Sequence, residues 1–167
     1  MHPFLTLGNL VPLATAVVGA ELIPDGAAQL VGRWEAVGLV STNFDVFRDV
    51  TNLALCVYSV NLTTNLQSKS TEAWLKAELQ VKSSNDPAGR ERIAPDTHDI
   101  AWMTPQGIEF GGPHGFVLHY ALTNGMLILE KHVAGPTNGA TVFRLDFVAK
   151  LKKTTTNPGE PLLNWQR

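Results

Sequence analysis

A single cysteine, Cys56, stands in a chain of 167 residues. It excludes an internal disulfide and any zinc cage built on thiolates. Charge is scarce as well. Asp, Glu, Lys and Arg make up 17% of the chain, against roughly 25% in an average soluble domain. Thirteen basic and fifteen acidic side chains leave a net charge of −2. Without a basic excess to neutralise phosphates, a nucleic-acid partner is excluded. No run of about 20 apolar residues occurs, so no membrane span is expected. There is no glycine-rich phosphate loop, no Gly-x-Ser-x-Gly elbow and no His-Glu-x-x-His. Nucleotide, hydrolase-elbow and zinc-protease chemistry are thereby set aside, and no cofactor is expected.

What is present is apolar matter, at 44% of the residues, enough for a core and too much for a disordered chain. The length suits one domain over residues 1–167. Residues 1–30 form an apolar N-terminal segment and a short helix, 31–151 the body, and 152–167 a polar tail. The stretch from Met1 to Ile23 has the apolar run and small residues of a secretory signal but lacks its basic start. It reads as an ordered segment covering apolar surface. A cytoplasmic location is expected, with secretion left open by that N-terminus. Asn61-Leu62-Thr63 matches a glycosylation sequon by pattern. Asp25 is placed to cap a helix over Gly26 to Val31.

From Trp34 onward the periodicity is two. Ala73, Leu75, Ala77, Leu79 and Val81 share one parity, and Trp74, Lys76, Glu78, Gln80 and Lys82 the other, which is a strand with one wet face. These residues are good helix formers, and the period outweighs that propensity. Asn124-Gly125 lies between two apolar runs, Phe116 to Thr123 and Met126 to Ala134, and is a hairpin signal because both turn positions need positive φ. A second turn over Gly135 to Gly139 leads to Ala140 to Leu151, giving a three-stranded meander. Earlier strands are expected at Trp34 to Thr42, Phe44 to Val50, Leu53 to Thr63, Ala73 to Ser83, His98 to Met103 and Gly107 to Phe110. Ser84 to Pro95 reads as a loop, and Trp165 suggests that the tail docks. The expected fold is all-β, a single antiparallel up-and-down barrel of about eight strands, which leaves no open edge and has room for one small ligand.

Gly32-Arg33-Trp34, after a helical turn and at the start of the first strand, resembles the Gly-x-Trp signature of the calycins, which include the lipocalins, fatty-acid-binding proteins and avidins. The resemblance implies a barrel enclosing a small apolar ligand. It also implies that Trp34 closes one end, with an Arg from the last strand packed across it, for which Arg144 is the candidate. A second resemblance, carried by Val31-Gly32-Arg33, Gly38 and Gly111-Gly112-Pro113-His114-Gly115-Phe116, is to barrels of the allene oxide cyclase and dirigent type, which guide cyclisation or coupling of reactive small molecules.

A two-residue Asn124-Gly125 loop sets Thr123 opposite Met126, His119 opposite Glu130 and Val117 opposite His132. Cross-strand partners lie about 5 Å apart. A histidine held by a carboxylate on an apolar wall is a general-base arrangement, because the carboxylate fixes the tautomer and raises the basicity of the far nitrogen. With Phe143, Leu145 and Phe147 on the same face, the site is a greasy pocket with one polar dyad. Pointing outward, the same pair is a surface contact worth a fraction of a kcal/mol. The opposite face carries Lys131, Arg144 and Asp146 among Phe116, Leu118, Leu127 and Leu129. Pattern therefore leaves inside and outside open, since a slip of one residue exchanges them. His119, His132 and Glu130 have the residue types of a metal triad; nothing else supports one, and no metal is assigned. His114, in its Gly/Pro-rich turn, is placed to hang over a barrel mouth. Tyr58 and Tyr120 carry a donor hydroxyl on an apolar body. Trp74 and Trp102 read as packing and Cys56 as inert core.

Two functions fit. In the first, the barrel is a cofactor-independent isomerase or cyclase acting on a hydrophobic small molecule. His119 is the acid/base, Glu130 orients it, Tyr120, His132 or His114 donates a hydrogen bond, and Trp34, His114, Phe143, Arg144, Leu145 and Phe147 hold the substrate. In the second, the barrel is a carrier of a lipid-like ligand. The polarity of the cavity wall discriminates them, since an enzyme needs an ionisable group inside. Exposed strands on the barrel wall could also serve a homodimer.

Overall fold

The computed structural model describes residues 26–41, 49–69, 71–94, 97–104, 107–110, 116–137 and 140–162. The readings placed on Phe44, Asp25, His114 with its turn, and Trp165 lie outside the described residues, as do the side chains of His132, Phe143, Arg144, Leu145 and Phe147.

A 3-10 turn at Ala28–Leu30 precedes the strands β1 (Gly32–Ser41), β2 (Val50–Thr64), β3 (Thr71–Ser83), β4 (Arg92–Ile93), β5 (Ile100–Met103), β6 (Ile108–Phe110), β7 (Phe116–Thr123), β8 (Met126–Thr137) and β9 (Ala140–Thr155). Every pairing is antiparallel, and β9 returns to pair with β1. With β4 as a short side strand on β3, the other eight strands close into an up-and-down barrel.

The period-two reading of residues 73–83 holds as β3. The β7 to β8 turn is the expected one, with φ of 52° at Asn124 and 74° at Gly125. Several expectations need correction. Over residues 26–31 the chain is helical at Gly26 and Ala27 and tightens into the 3-10 turn, which ends at Leu30 rather than Val31; Ala27 supplies no side-chain cap bond to that turn, and the cap read at Asp25 lies outside the described residues. The loop read over Ser84 to Pro95 contains β4, which pairs Gln80 with Ile93 and Val81 with Arg92. Val50 belongs to β2, and β9 runs on to Thr155, four residues past the expected end at Leu151.

Alternation sorts the two faces. Trp34, Leu53, Leu55, Val57, Leu75, Leu79, Ile108, Phe110, Leu118, Leu127, Leu129, Ala149 and Leu151 are buried in one apolar cluster to which all eight barrel strands contribute, so theirs is the inner face. Large side chains such as Phe110 and Met103 meet Ala73, Ala77 and Ala101, the mixture of sizes that fills a tapering barrel. The register is steeply staggered. Ser41 at the upper end of β1 is level with Phe147 and Lys131, whereas Leu62 near the lower end of β2 is level with Ala73, Met103, Ile108 and Leu118. Stagger tilts the strands and sets the girth of a closed sheet.

Candidate functional site

The lower end of the barrel is closed by the segment before β1. Leu30 and Ala27 join the inner core. The Trp34 indole, only 3% exposed, donates from Nε1 to the Leu30 carbonyl at 2.8 Å. The cation lying across that ring is Lys153, its Nζ 4.9 Å from the ring centroid, and Lys153 also donates to the Gln29 carbonyl. This corrects the assignment of Arg144 to that position. Trp34 is level with Lys153 on β9, whereas Arg144 is level with Val133. Gly32 has φ of +129°, and a Cβ there would run into the Thr155 carbonyl oxygen. The Gly-x-Trp spacing thus has a local physical reason: the glycine lets β1 approach β9, and the tryptophan two residues on reaches the inner face.

The expected pairing of His119 with Glu130 is present, in a ladder running from Thr123 and Met126 upward. Its face is the outer one. Leu118 and Tyr120 on β7, and Leu129 on β8, belong to or pack on the inner core, so their chain neighbours His119 and Glu130 point the other way. The dyad therefore does not line the interior. Nor do Phe143, Leu145 and Phe147 form one continuation of its face. A register shift falls between Lys131 and His132, so Phe147 is level with Lys131, but Leu145 with His132 and Phe143 with Ala134. The extra residue of a bulge interrupts simple alternation. Among the described residues no cluster of His, Cys, Asp and Glu is placed to hold a metal ion.

A polar cluster that the sequence did not reveal lies on the outer wall of β1, β2 and β3. Glu78 is 0% exposed and Gln80 3%. Glu78 Oε2 accepts from the Tyr58 hydroxyl at 3.0 Å, from Gln80 Nε2 at 3.0 Å and from the Leu162 backbone N–H at 3.2 Å. Arg33 donates to Gln80 Oε1 at 2.7 Å, to Glu35 at 2.7 Å and to Glu91, and makes a longer contact of 3.4 Å with Cys56 Sγ. Burial opposes the Arg33 charge, but the hydrogen bond to Glu35 and the Glu91 carboxylate outweigh it and hold the guanidinium above its ordinary range. Burial pushes the Cys56 thiol up and, with Cys56 and Glu78 nearby, the Tyr58 phenol too. Cys56 is buried as expected, but under this cluster rather than in the inner core. The tail does dock, through Leu162 on Glu78. Its hydrogen bonds join the tail at Leu162 and the loop at Glu91 to the strands, so it reads as the seam holding tail and loop to the wall. Trp74 and Trp102 stack across β3 and β5 on the outer face, 5.6 Å apart and 11° from parallel, in keeping with a packing role.

On β7 and β8, among the described residues, the inner face carries polar atoms at Tyr120 and Lys131. Tyr120 packs half-buried against the core, and burial raises its phenol, keeping it a proton donor. Lys131 follows Leu127 and Leu129 in parity on β8, below the register shift, and is half-buried. The chain matches no protein-family model, no curated protein and no solved structure.

Proposed function

We propose that this chain binds one apolar or amphipathic small molecule inside the barrel, above the packed layer around Leu118 and Leu129, and acts by holding it. The observation that carries the reading is the character of the inner face: apolar on all eight strands, plugged at the lower end by Leu30 and Trp34, with ionisable groups mostly on the outside. A carrier needs such a wall, because an apolar ligand gains by leaving water and no buried charge has to be compensated. The steep stagger favours the same reading, since it belongs to a wide barrel rather than a narrow one.

The alternative, a cofactor-free isomerase or cyclase, no longer has His119 and Glu130 at its disposal inside. It rests on Tyr120, whose inward phenol could donate to a developing negative charge on the substrate. Native mass spectrometry of the purified protein against its denatured mass tests the binding reading. A few hundred daltons lost on denaturation support it. A bare mass, together with no uptake of an added neutral apolar fluorophore such as N-phenyl-1-naphthylamine, contradicts it.

A further inference from the structure

We infer that two copies of this chain pair edge to edge through the lower end of β2, so that one sheet runs on from barrel to barrel. The stagger of the strands makes the edge. β1 starts at Gly32, level with Val57 on β2, while β2 runs on to Thr64. Below Val57 the strand keeps β3 on one side, level from Ser59 with Lys76 to Thr64 with Thr71. Among the described residues, no strand pairs with its other side from Ser59 onward. The chain before β1 turns inward as the plug instead of following β2. Ser59 and Val60 are half-buried, and Asn61 to Thr64 are exposed. Leu62 is 51% exposed, although it is level with the fully buried Ala73. This pairing is independent of any ligand inside the barrel.

A strand edge offers backbone N–H and C=O groups to any passing strand, and proteins guard such edges with lysine, proline or a bulge. Here those guards are missing. Residues 50–68 contain no Lys, Arg, Asp, Glu or Pro. The register shifts of β2 lie higher up, and from Ser59 to Thr64 its ladder with β3 is unbroken. What fits this edge is another uncharged strand, and a twofold axis at Asn61 makes the chain its own partner. Antiparallel self-pairing sets Asn61 against Asn61 of the second copy, Val60 against Leu62 and Ser59 against Thr63. Val60 and Leu62 share the inward parity, level with Leu75 and Ala73. Their contact covers the exposed leucine and leaves the polar side chains outward. In the row behind, Lys76 is level with Ser59 and Glu72 with Thr63. The axis therefore brings opposite signs onto one line, which favours this orientation. A ladder from Ser59 to Thr63 on each side is small against the roughly 800 Å² per partner of a standard interface, so the dimer is expected to form and dissociate with concentration.

The test is sedimentation velocity of the full chain, made in a host that does not glycosylate the Asn61 sequon. Between about 1 μM and about 300 μM, monomer should pass reversibly to dimer. Asn61→Lys sets like charges opposite each other at the axis and should weaken association about fivefold or more. Its melting temperature at monomer concentration should match the wild type, since the side chain is exposed. Cross-linking reads the register. Directly opposed residues have Cβ atoms about 4.5–5.5 Å apart, close enough for a disulfide to form with a small backbone adjustment, so Asn61→Cys should give a covalent dimer under mild oxidation. Ser59→Cys should not, because Ser59 lies roughly 13 Å along the ladder from its own counterpart at about 3.3 Å per residue. Cys56 is buried and stays out of the reaction. Asn61→Cys keeps the inference testable should Asn61→Lys disturb the fold. A monomer throughout the range overturns the inference. So does a dimer that Asn61→Lys leaves intact, or one that Ser59→Cys and Asn61→Cys cross-link alike.

Discussion

The walls on opposite sides of this barrel use the same alternating pattern for different ends. On β7 and β8 alternation means what it usually means: Leu118, Leu127 and Leu129 face in, His119 and Glu130 face out. On β2 and β3 the same alternation runs through a region buried on both faces, residues 53–57 and 77–81. Glu78 and Gln80 look in sequence like the wet side of a strand. Loop and tail cover them, and their polarity serves to tie those segments down. A polar residue on the outward parity is thus solvated on one side of the molecule and structural on the other, and only what lies over the strand decides which.

The sharpest way to break this contrast is to substitute one outward-parity glutamate on each of the two walls. Glu78→Ala removes an acceptor shared by three donors, the Tyr58 hydroxyl, the Gln80 amide and the Leu162 N–H. It should cost about 2–4 kcal/mol in denaturant unfolding and expose the tail to proteolysis. Glu130→Ala on the solvated side should stay within about 0.5 kcal/mol. Nearly as large an effect is expected at the seam where β1 meets β9. Gly32→Ala puts a Cβ against the Thr155 carbonyl at a positive φ and should cost about 2–3 kcal/mol, read as a lowered melting temperature.

An intermediate effect is expected with pH. Burial raises the Cys56 thiol and the Tyr58 and Tyr120 phenols. In each case the folded protein holds its proton more tightly than the unfolded chain. Stability from these groups is whole below the unfolded values, about 8.5 for Cys and about 10 for Tyr, and falls as the pH rises beyond them. Unfolding midpoints measured from pH 7 to 11 should decline on the alkaline side, and Tyr58→Phe should flatten that decline. The smallest effect belongs to His119→Ala. With its side chain on the outer wall, the substitution should change neither stability by more than about 0.5 kcal/mol nor the uptake of an apolar probe, checked by the same fluorescence titration.

The barrel was legible because its signals are local. Period two along β3, the positive-φ pair Asn124 and Gly125, and Gly-x-Trp at the start of β1 each fix a short piece, and short connections between sequential strands fix the order. The dyad was legible as a register and illegible as a site. A hairpin turn fixes who faces whom but not which face turns inward, and apolar residues stood on both parities. The cation across Trp34 is not legible in the sequence, because choosing between Arg144 and Lys153, nine residues apart on β9, needs the pairing with β1. The cluster around Glu78 depends on residues far apart in the chain, Arg33, Tyr58, Glu91 and Leu162, and no spacing rule gathers them.

The central claim is that the inside of this barrel receives an apolar molecule. It is tested most directly by titrating the full chain with the methyl ester of cis-parinaric acid and weighing the complex by native mass spectrometry. A saturable rise in fluorescence, with one ester per chain and a higher melting temperature as ester is added, is the predicted result. Non-saturating fluorescence, with no bound ester and an unmoved melting temperature, would contradict it and make the interior a filled core.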